Sequence, residues 1–330
     1  EIFCCLLFFF FKQKTAYEIG TGDWSSDVCS SDLTLNEWLV DSLADPAGSS
    51  AATNADGVDI TLSNAENLID TRARLGNRVA TLRDIFAVSR QAEMVDVAPG
   101  GSLFAASTAK SLIQLKNSLE VAIASNNDQA AGDASNGATM CGLGIWSDPT
   151  ATGNTFDTVL KQGFRAVSGS RVSLASLTES AFRGLLQAVY TAAGSKGTYN
   201  LFAGPAVMNK ITDYTRSTTA NGNFSFDQDV SGKTLVRSVL TYVSDYSTIN
   251  IIPDLFLGRV NGSASGTDTV EGTVNTDRAY LIPGDDTVSL KFLEGITIQD
   301  LPDNGAGKRA FSETMLSLRV SNPRALGSIV

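Results

Sequence analysis

The chain of 330 residues carries 25 Lys and Arg against 35 Asp and Glu, a net charge of −10, and no histidine. Without imidazole there is no Ser-His-Asp triad, no Cys-His pair and no His-ligated zinc or iron site. The acidity argues against tight, sequence-independent binding to nucleic acid, which needs clustered Lys and Arg.

The first 33 residues stand apart. An apolar opening, Cys4-Cys5-Leu6-Leu7 and then Phe8-Phe9-Phe10-Phe11, lacks the initiator Met, basic start and small-residue cleavage site of a signal peptide. Residues 12–19 (KQKTAYEI) and 23–33 (DWSSDVCSSDL) are what the two halves of a common sequencing adapter would encode, with room for a short barcode between them. Residues 1–33 are therefore expected to be an adapter-derived artefact and are set aside from the fold, as tags and scars are. Removing their two lysines and five acids from the total leaves a net charge of −7. Only Cys141 survives of the four cysteines, so neither a disulfide framework nor a thiolate metal cluster is expected.

Residues 34–43 read as a strand holding Trp38. A loop rich in Ala, Ser, Gly, Asn and Asp follows over 44–59. Residues 60–90 contain a second extended segment with Val79, Leu82, Ile85, Phe86 and Val88, and the two strands together predict a long arm with a mobile tip. Pro99-Gly100-Gly101 breaks the chain. Thr108, Leu112, Leu115, Leu119 and Ala122 then step by four, three, four and three, which predicts a helix over 102–125 with one apolar face. Lys110, Gln114 and Asn117 fall away from that face, and Lys116 is expected to pair with Glu120 one turn on. The polar residues 126–137 end the helix.

A second helix is expected from Ser176, with Glu179 completing a capping box. Phe182, Leu185, Leu186, Val189 and Ala193 form its stripe, and Gly194 stops it. Pro205 opens a shorter helix. Beyond it the chain turns to β: 235–243 and 248–252 around Ser244-Asp245, then 278–282, 288–293, 296–301 and 311–320. A Gly/Ser/Thr/Asp-rich loop fills 258–276. No internal repeat is present, and no apolar run in 34–330 is long enough to span a membrane. The fold class is α+β.

Few motifs suggest chemistry. Ser231-Gly232-Lys233-Thr234 resembles the end of a phosphate-binding loop, but the required upstream glycine is replaced by Asp227, whose charge would repel phosphate. Gly284-Asp285-Asp286 has the adjacent acids of some polymerase metal sites, yet Gly and Asp are also ordinary turn residues. Asn223-Phe224-Ser225 and Asn261-Gly262-Ser263 are chance matches to the glycosylation sequon. Asn136-Gly137, Asn221-Gly222 and Asn261-Gly262 read as turns. Cys141 reads as a small apolar filler, since nothing can activate it. No catalytic, cofactor-binding or metal-ligating residue is assigned, and no enzyme is expected.

The order of elements resembles that of tailed-bacteriophage major capsid proteins of the Hong Kong 97 type. Within that class it is similar to a phage capsid family catalogued as a domain of unknown function. Glu37-Trp38-Leu39-Val40-Asp41-Ser42-Leu43 resembles the family's Trp-x-x-Asp-x-Leu hairpin start. Lys110 to Glu120 (KSLIQLKNSLE) resembles its spine helix. Gly142-Leu143-Gly144-Ile145-Trp146 resembles the segment leading into its central domain. Residues 277–286, 290–293 and 313–327 resemble its C-terminal strands. The family has further residues ahead of the Trp segment, where this chain has the adapter-like stretch.

The resemblance implies an extended arm or E-loop hairpin over 34–90, a peripheral P domain with the spine helix over 91–140, a mixed central A domain over 141–285, and P-domain return strands over 286–330. It implies a self-assembling structural subunit of an icosahedral head, working as hexamers and pentamers. Scaffolding, portal and decoration proteins are its expected partners. The packaged double-stranded DNA would be enclosed without sequence-specific binding, which an acidic wall suits. Virion localisation, assembly in a bacterial cytoplasm, and no cofactor or membrane complete the expectation. An encapsulin-type shell or a β-rich surface-binding protein are the alternatives.

Overall fold

The computed structural model describes residues 34–42, 72–94, 102–133, 136–194, 196–213, 227–228, 235–236, 241–258, 278–284, 286–302 and 307–330. Residues 1–33, the expected arm tip, Ser231-Gly232-Lys233-Thr234, Asp285 and most of the 258–276 loop lie outside these. So do Asn221-Gly222 and the sequons at Asn223 and Asn261.

Alternation of apolar and polar residues makes β1 (Leu35–Val40) and β2 (Ala73–Arg78) a two-stranded ribbon, with Trp38 opposite Leu75. Trp38, Val40, Ala73 and Leu75 point into the core. On the outer face Arg72 pairs with Asp41 at 2.8 Å and Arg74 with Glu37 at 3.4 Å. The chain then changes sheets at Val79. The strand β3 (Ala80–Ser89) pairs with β12 (Gly307–Val320), which in turn pairs with β11 (Val288–Leu301), all antiparallel. This corrects the expected arm, because Leu82, Ile85, Phe86 and Val88 belong to β3 rather than to a ribbon with Trp38. A two-stranded ribbon cannot cover that many apolar side chains, whereas a sheet backed by a helix can.

A one-turn helix α1 (Arg90–Met94) leads to α2 (Leu103–Ala124), which at 22 residues is the longest helix among the described residues. Ser102 caps α2, its Oγ accepting from Ala105 N at 3.3 Å. Glu93 adds its carboxylate to the same end, accepting from Ser102 Oγ at 2.6 Å and Phe104 N at 3.2 Å, which suits the positive end of the helix dipole. α2 packs against β12 and β3. Its buried row, however, is Ser111, Leu115, Leu119 and Ile123, while Thr108, Leu112 and Ala122 are only half-buried. A polar residue occupies the inward row because Ser111 Oγ meets Ser312 Oγ at 2.7 Å, so burial leaves neither hydroxyl unpaired.

The strands expected at 288–293 and 296–301 are one strand, β11. Its register against β12 shifts between Phe292 and Glu294 and again between Glu294 and Thr297. Bulges absorb the extra residues instead of ending the strand.

The second unit is a six-stranded mixed sheet in the order β4-β13-β10-β5-β9-β8. Its strands are β4 (Arg171–Val172), β5 (Thr198–Ala203), β8 (Thr241–Val243), β9 (Thr248–Pro253), β10 (Ala279–Pro283) and β13 (Gly327–Ile329). A separate short pair joins β6 (Asp227–Gln228) to β7 (Leu235–Val236). Tyr199, Leu201, Ile249, Ile251, Ala279 and Leu281 face α5 (Glu179–Ala193) and α6 (Pro205–Asp213) in one core. Phe202, Tyr280 and Ile282, at the alternate positions, face a second core with Trp38, Leu119, Ile123, Trp146 and Leu316. The sheet is thus apolar on both faces, and the period of two divides it between two cores.

The helix α5 starts at Glu179 and not near Ser176. Its cap is Thr178, whose Oγ1 accepts from Ala181 N at 3.2 Å, while Ser176 ends a preceding 3-10 turn. Hydroxyl residues at 173, 176 and 178 all resemble caps in sequence, and the 3-10 turn of Leu174–Ser176 decides among them. Phe182, Leu185, Leu186 and Val189 are buried, and Gly194 closes the helix at φ 68°, as the stripe predicts.

Candidate assembly surface

The joint between the two units is built first. Asn77 on β2 is fully buried. Its Nδ2 donates to Leu318 O at 2.8 Å and Cys141 O at 3.1 Å, and its Oδ1 accepts from Cys141 N at 2.7 Å. Its backbone oxygen accepts from Ser317 Oγ at 3.1 Å. One amide thus ties the ribbon, the Cys141 segment and β12 together with its polar atoms satisfied. No sequence pattern singles out this residue. Cys141 itself is buried and free, and burial pushes its thiol far above the usual range, which makes it inert filler.

The Gly142-Leu143-Gly144-Ile145-Trp146 motif has a steric cause. The short helix α3 (Leu143–Trp146) docks on the C-terminal end of α2, with Gly142 N donating to Asn127 O and Gly144 N to Ser125 O, both at 3.0 Å. A Cβ on Gly142 would lie 2.3 Å from Ser125 O, and one on Gly144 would lie 2.4 Å from Asn126 Oδ1. That approach seats Trp146 between Trp38 and Phe156, with ring centroids 5.7 and 5.5 Å away. Nearby, Asp128 accepts from the backbone N–H groups of Gln129, Asn154 and Thr155 and from the Thr155 hydroxyl, anchoring the 3-10 turn Asn154–Phe156.

The exposed surface of the three-stranded sheet has a different character. Its inner face meets α2, where Phe86 packs on Phe104 at 5.5 Å. On the outer face β3 exposes Thr81, Arg83, Ile85 and Ala87. Arg83 sits opposite Glu313, bonds it at 2.6 Å, and lies 5.0 Å over the ring of Phe311. Ile85 is 64% exposed, and on β11 Leu293 is 64% and Ile298 43% exposed. Among the described residues neither outer edge of this sheet, β3 or β11, pairs with a further strand. Such edges and apolar side chains are interaction surfaces, because open strands present unpaired N–H and C=O groups.

The residues weighed for chemistry do not converge. Gly284 adopts φ 73°, as a turn requires, and Asp286 is exposed. Asn136 bonds Asp133 within its turn. Glu120 faces Asp254 instead of Lys116. Asp148 works against its own burial, yet bonds from Thr150 and Arg171 hold its carboxyl below the usual range. Among the described residues no group of three or more His, Cys, Asp or Glu could hold a metal ion, and no helix is long and apolar enough to cross a membrane.

A long helix laid along a three-stranded sheet and joined to a two-faced mixed sheet is the architecture of a Hong Kong 97-type viral shell subunit. Solved structures bear out this α+β class. The capsid of an empty GTA particle matches with a TM-score of 0.52 at 10% identity, covering 90% of each chain. The capsid of cyanophage P-SCSP1u matches at 0.51 and 13% identity, covering 90% of this chain and 83% of that one. An encapsulin from Synechococcus elongatus scores only 0.43 at 11% identity, covering 78% and 75%, too low to carry an argument. No curated protein matches in sequence.

The family is settled by sequence. The chain matches the SU10 major capsid protein family over residues 19–330 and belongs to it. It is a phage major capsid protein, a structural subunit of the virion that assembles with copies of itself, and not an enzyme. The match reaches back to residue 19, over part of the segment that resembles adapter.

Proposed function

We propose that this subunit closes into an icosahedral head of hexamers and pentamers around double-stranded DNA. The observation that carries the reading is the three-stranded sheet, whose edges pair with no further strand among the described residues and which exposes Ile85, Leu293 and Ile298. A subunit with long unpaired edges gains stability from neighbours. In this reading the segment expected as the arm, 34–90, reaches an adjacent subunit from its β1–β2 ribbon while β3 stays in the spine sheet, 91–140 and 286–330 form the peripheral domain, and 141–285 the central domain. Scaffolding, portal and decoration proteins are its partners in building the head, which takes place in the bacterial cytoplasm. The DNA is enclosed by a wall of net negative charge without sequence-specific contacts.

Residues 1–33 are, on the codon match, foreign to the native protein; resequencing the locus checks this, and native codons there would overturn it. Electron microscopy of the product, expressed with the native N-terminus restored, tests assembly. Large closed shells are expected. Monomers or small rings under every salt, pH and scaffold condition would overturn the reading, and small shells enclosing a host enzyme would replace it with an encapsulin.

A further inference from the structure

Glu120 lies near the C-terminal end of α2. Asp254 directly follows β9 and precedes the 3-10 turn Phe256–Gly258. The helix packs on that turn, and Leu257 is buried in the same core as Leu119 and Ile123. The two carboxyl groups therefore meet where the spine helix touches the central sheet. Asp254 is 8% exposed, and its Oδ1 accepts from Phe256 N at 2.8 Å. Its carboxyl also accepts from Leu257 N and is hydrogen-bonded to Glu120. Two carboxylates have no donor between them, so a hydrogen bond joining them requires one proton.

Among the described residues no ion pair reaches either carboxyl. Lys116, one turn earlier on α2, points to solvent. On β3 and β12, Arg83 and Glu313 engage each other on the far face of the sheet, and Asp84, on the near face, stands opposite Ser312. The helix α3 carries no charged side chain, and Glu93 of α1 caps the opposite end of α2. Directly ahead of β10, Arg278 is buried beside Tyr280, whose Oη donates to Ala124 O at 2.9 Å.

We propose that Glu120 and Asp254 form a proton-operated latch: sharing one proton, they hold the spine helix on the central sheet, and losing it they loosen that joint. Burial first, and then the charge and hydrogen bond of Asp254, push Glu120 up to about 7, and burial raises Asp254 as well. The chain has no histidine, the usual sensor of this pH range, and a coupled carboxyl pair supplies the same response. Glu120 holds its proton more tightly folded than unfolded. Its contribution to stability is therefore full below its ordinary value of 4.5, declines as pH rises, and is lost above about 7.

Amide hydrogen exchange on the unassembled full chain tests the latch between about pH 5 and 8, after correction for the intrinsic pH dependence of exchange. Protection of residues 256–258 and of the last turn of α2 should fall about tenfold across that range, a partly exposed carboxyl giving less than its full shift. Glu120→Gln donates a permanent hydrogen bond to Asp254 and should abolish the fall. Asp254→Asn retains the acceptor for Phe256 N and should abolish it too, so either variant decides if the other does not fold. Wild-type protection that stays flat, or a fall that persists in a folded variant, overturns the proposal. Shell closure plays no part in this measurement, so its failure leaves the head reading untouched.

Discussion

The central sheet and the spine sheet solve the same packing problem in opposite ways. The central sheet is covered twice, by α5 and α6 on one face and by the Trp38–Trp146 core on the other, and its strands β10 and β13 are buried along nearly their whole length. The spine sheet is covered by α2 and, at one end of β12, by β2; among the described residues its face around Ile85 is open and neither edge pairs with a further strand. The difference separates stability from association. The doubly covered sheet has the contacts to stand on its own, and the spine sheet holds surface in reserve for neighbours.

Substitutions can break this comparison. Phe182→Ala, in the doubly covered core, should cost about 3–5 kcal/mol in urea unfolding of the isolated chain, because the cavity is enclosed on every side. Leu115→Ala beneath α2 should cost about 2–5 kcal/mol, toward the lower end if the helix settles onto its sheet; Leu115 is 1% exposed. A cost near zero in a folded chain would show that the helix does not lean on β12. Asn77→Ala should cost about 2–3 kcal/mol by leaving Cys141 N and the carbonyls of Cys141 and Leu318 without a partner, and Asn77→Asp should not rescue it, since a carboxylate cannot donate to those carbonyls. Ile85→Ser should change unfolding by less than about 0.5 kcal/mol, yet reduce the yield of closed particles seen by electron microscopy. Equal yields would remove the outer face of β3 from the assembly surface.

Much of this contrast is legible in the sequence, and the failures are instructive. Long periodic segments are read correctly: the helix over 102–125, the α5 stripe and the helix at Pro205 each follow from spacing and caps that act within one element. What fails is partner choice. Leu82 and Phe86 look the same whether β3 pairs with Trp38's strand or with a strand more than two hundred residues away, because a period of two says which face is apolar and not what covers it. Ser111 looks like a break in an apolar face until Ser312 is placed opposite it. Asn77, and the meeting of Glu120 with Asp254, depend on segments far apart in the chain and leave no local pattern. The assembly surface is also invisible to spacing, since an exposed Ile85 and a half-buried Leu82 belong to one alternating strand.

The bulges in β11 bear on what happens before any shell exists. Before it meets another copy, a subunit carries a fourteen-residue edge strand that no further described strand pairs. A flat, regular edge of that length would template stacking with any like strand and draw the pool into fibres. The register shifts at residues 292–297 put kinks in the ladder, and Lys291 and Glu294 set charges beside Leu293. An irregular edge fits a partner shaped to its kinks better than a straight one, so the feature that ruins the simple two-strand reading of 288–301 also works against indiscriminate stacking of unassembled subunits.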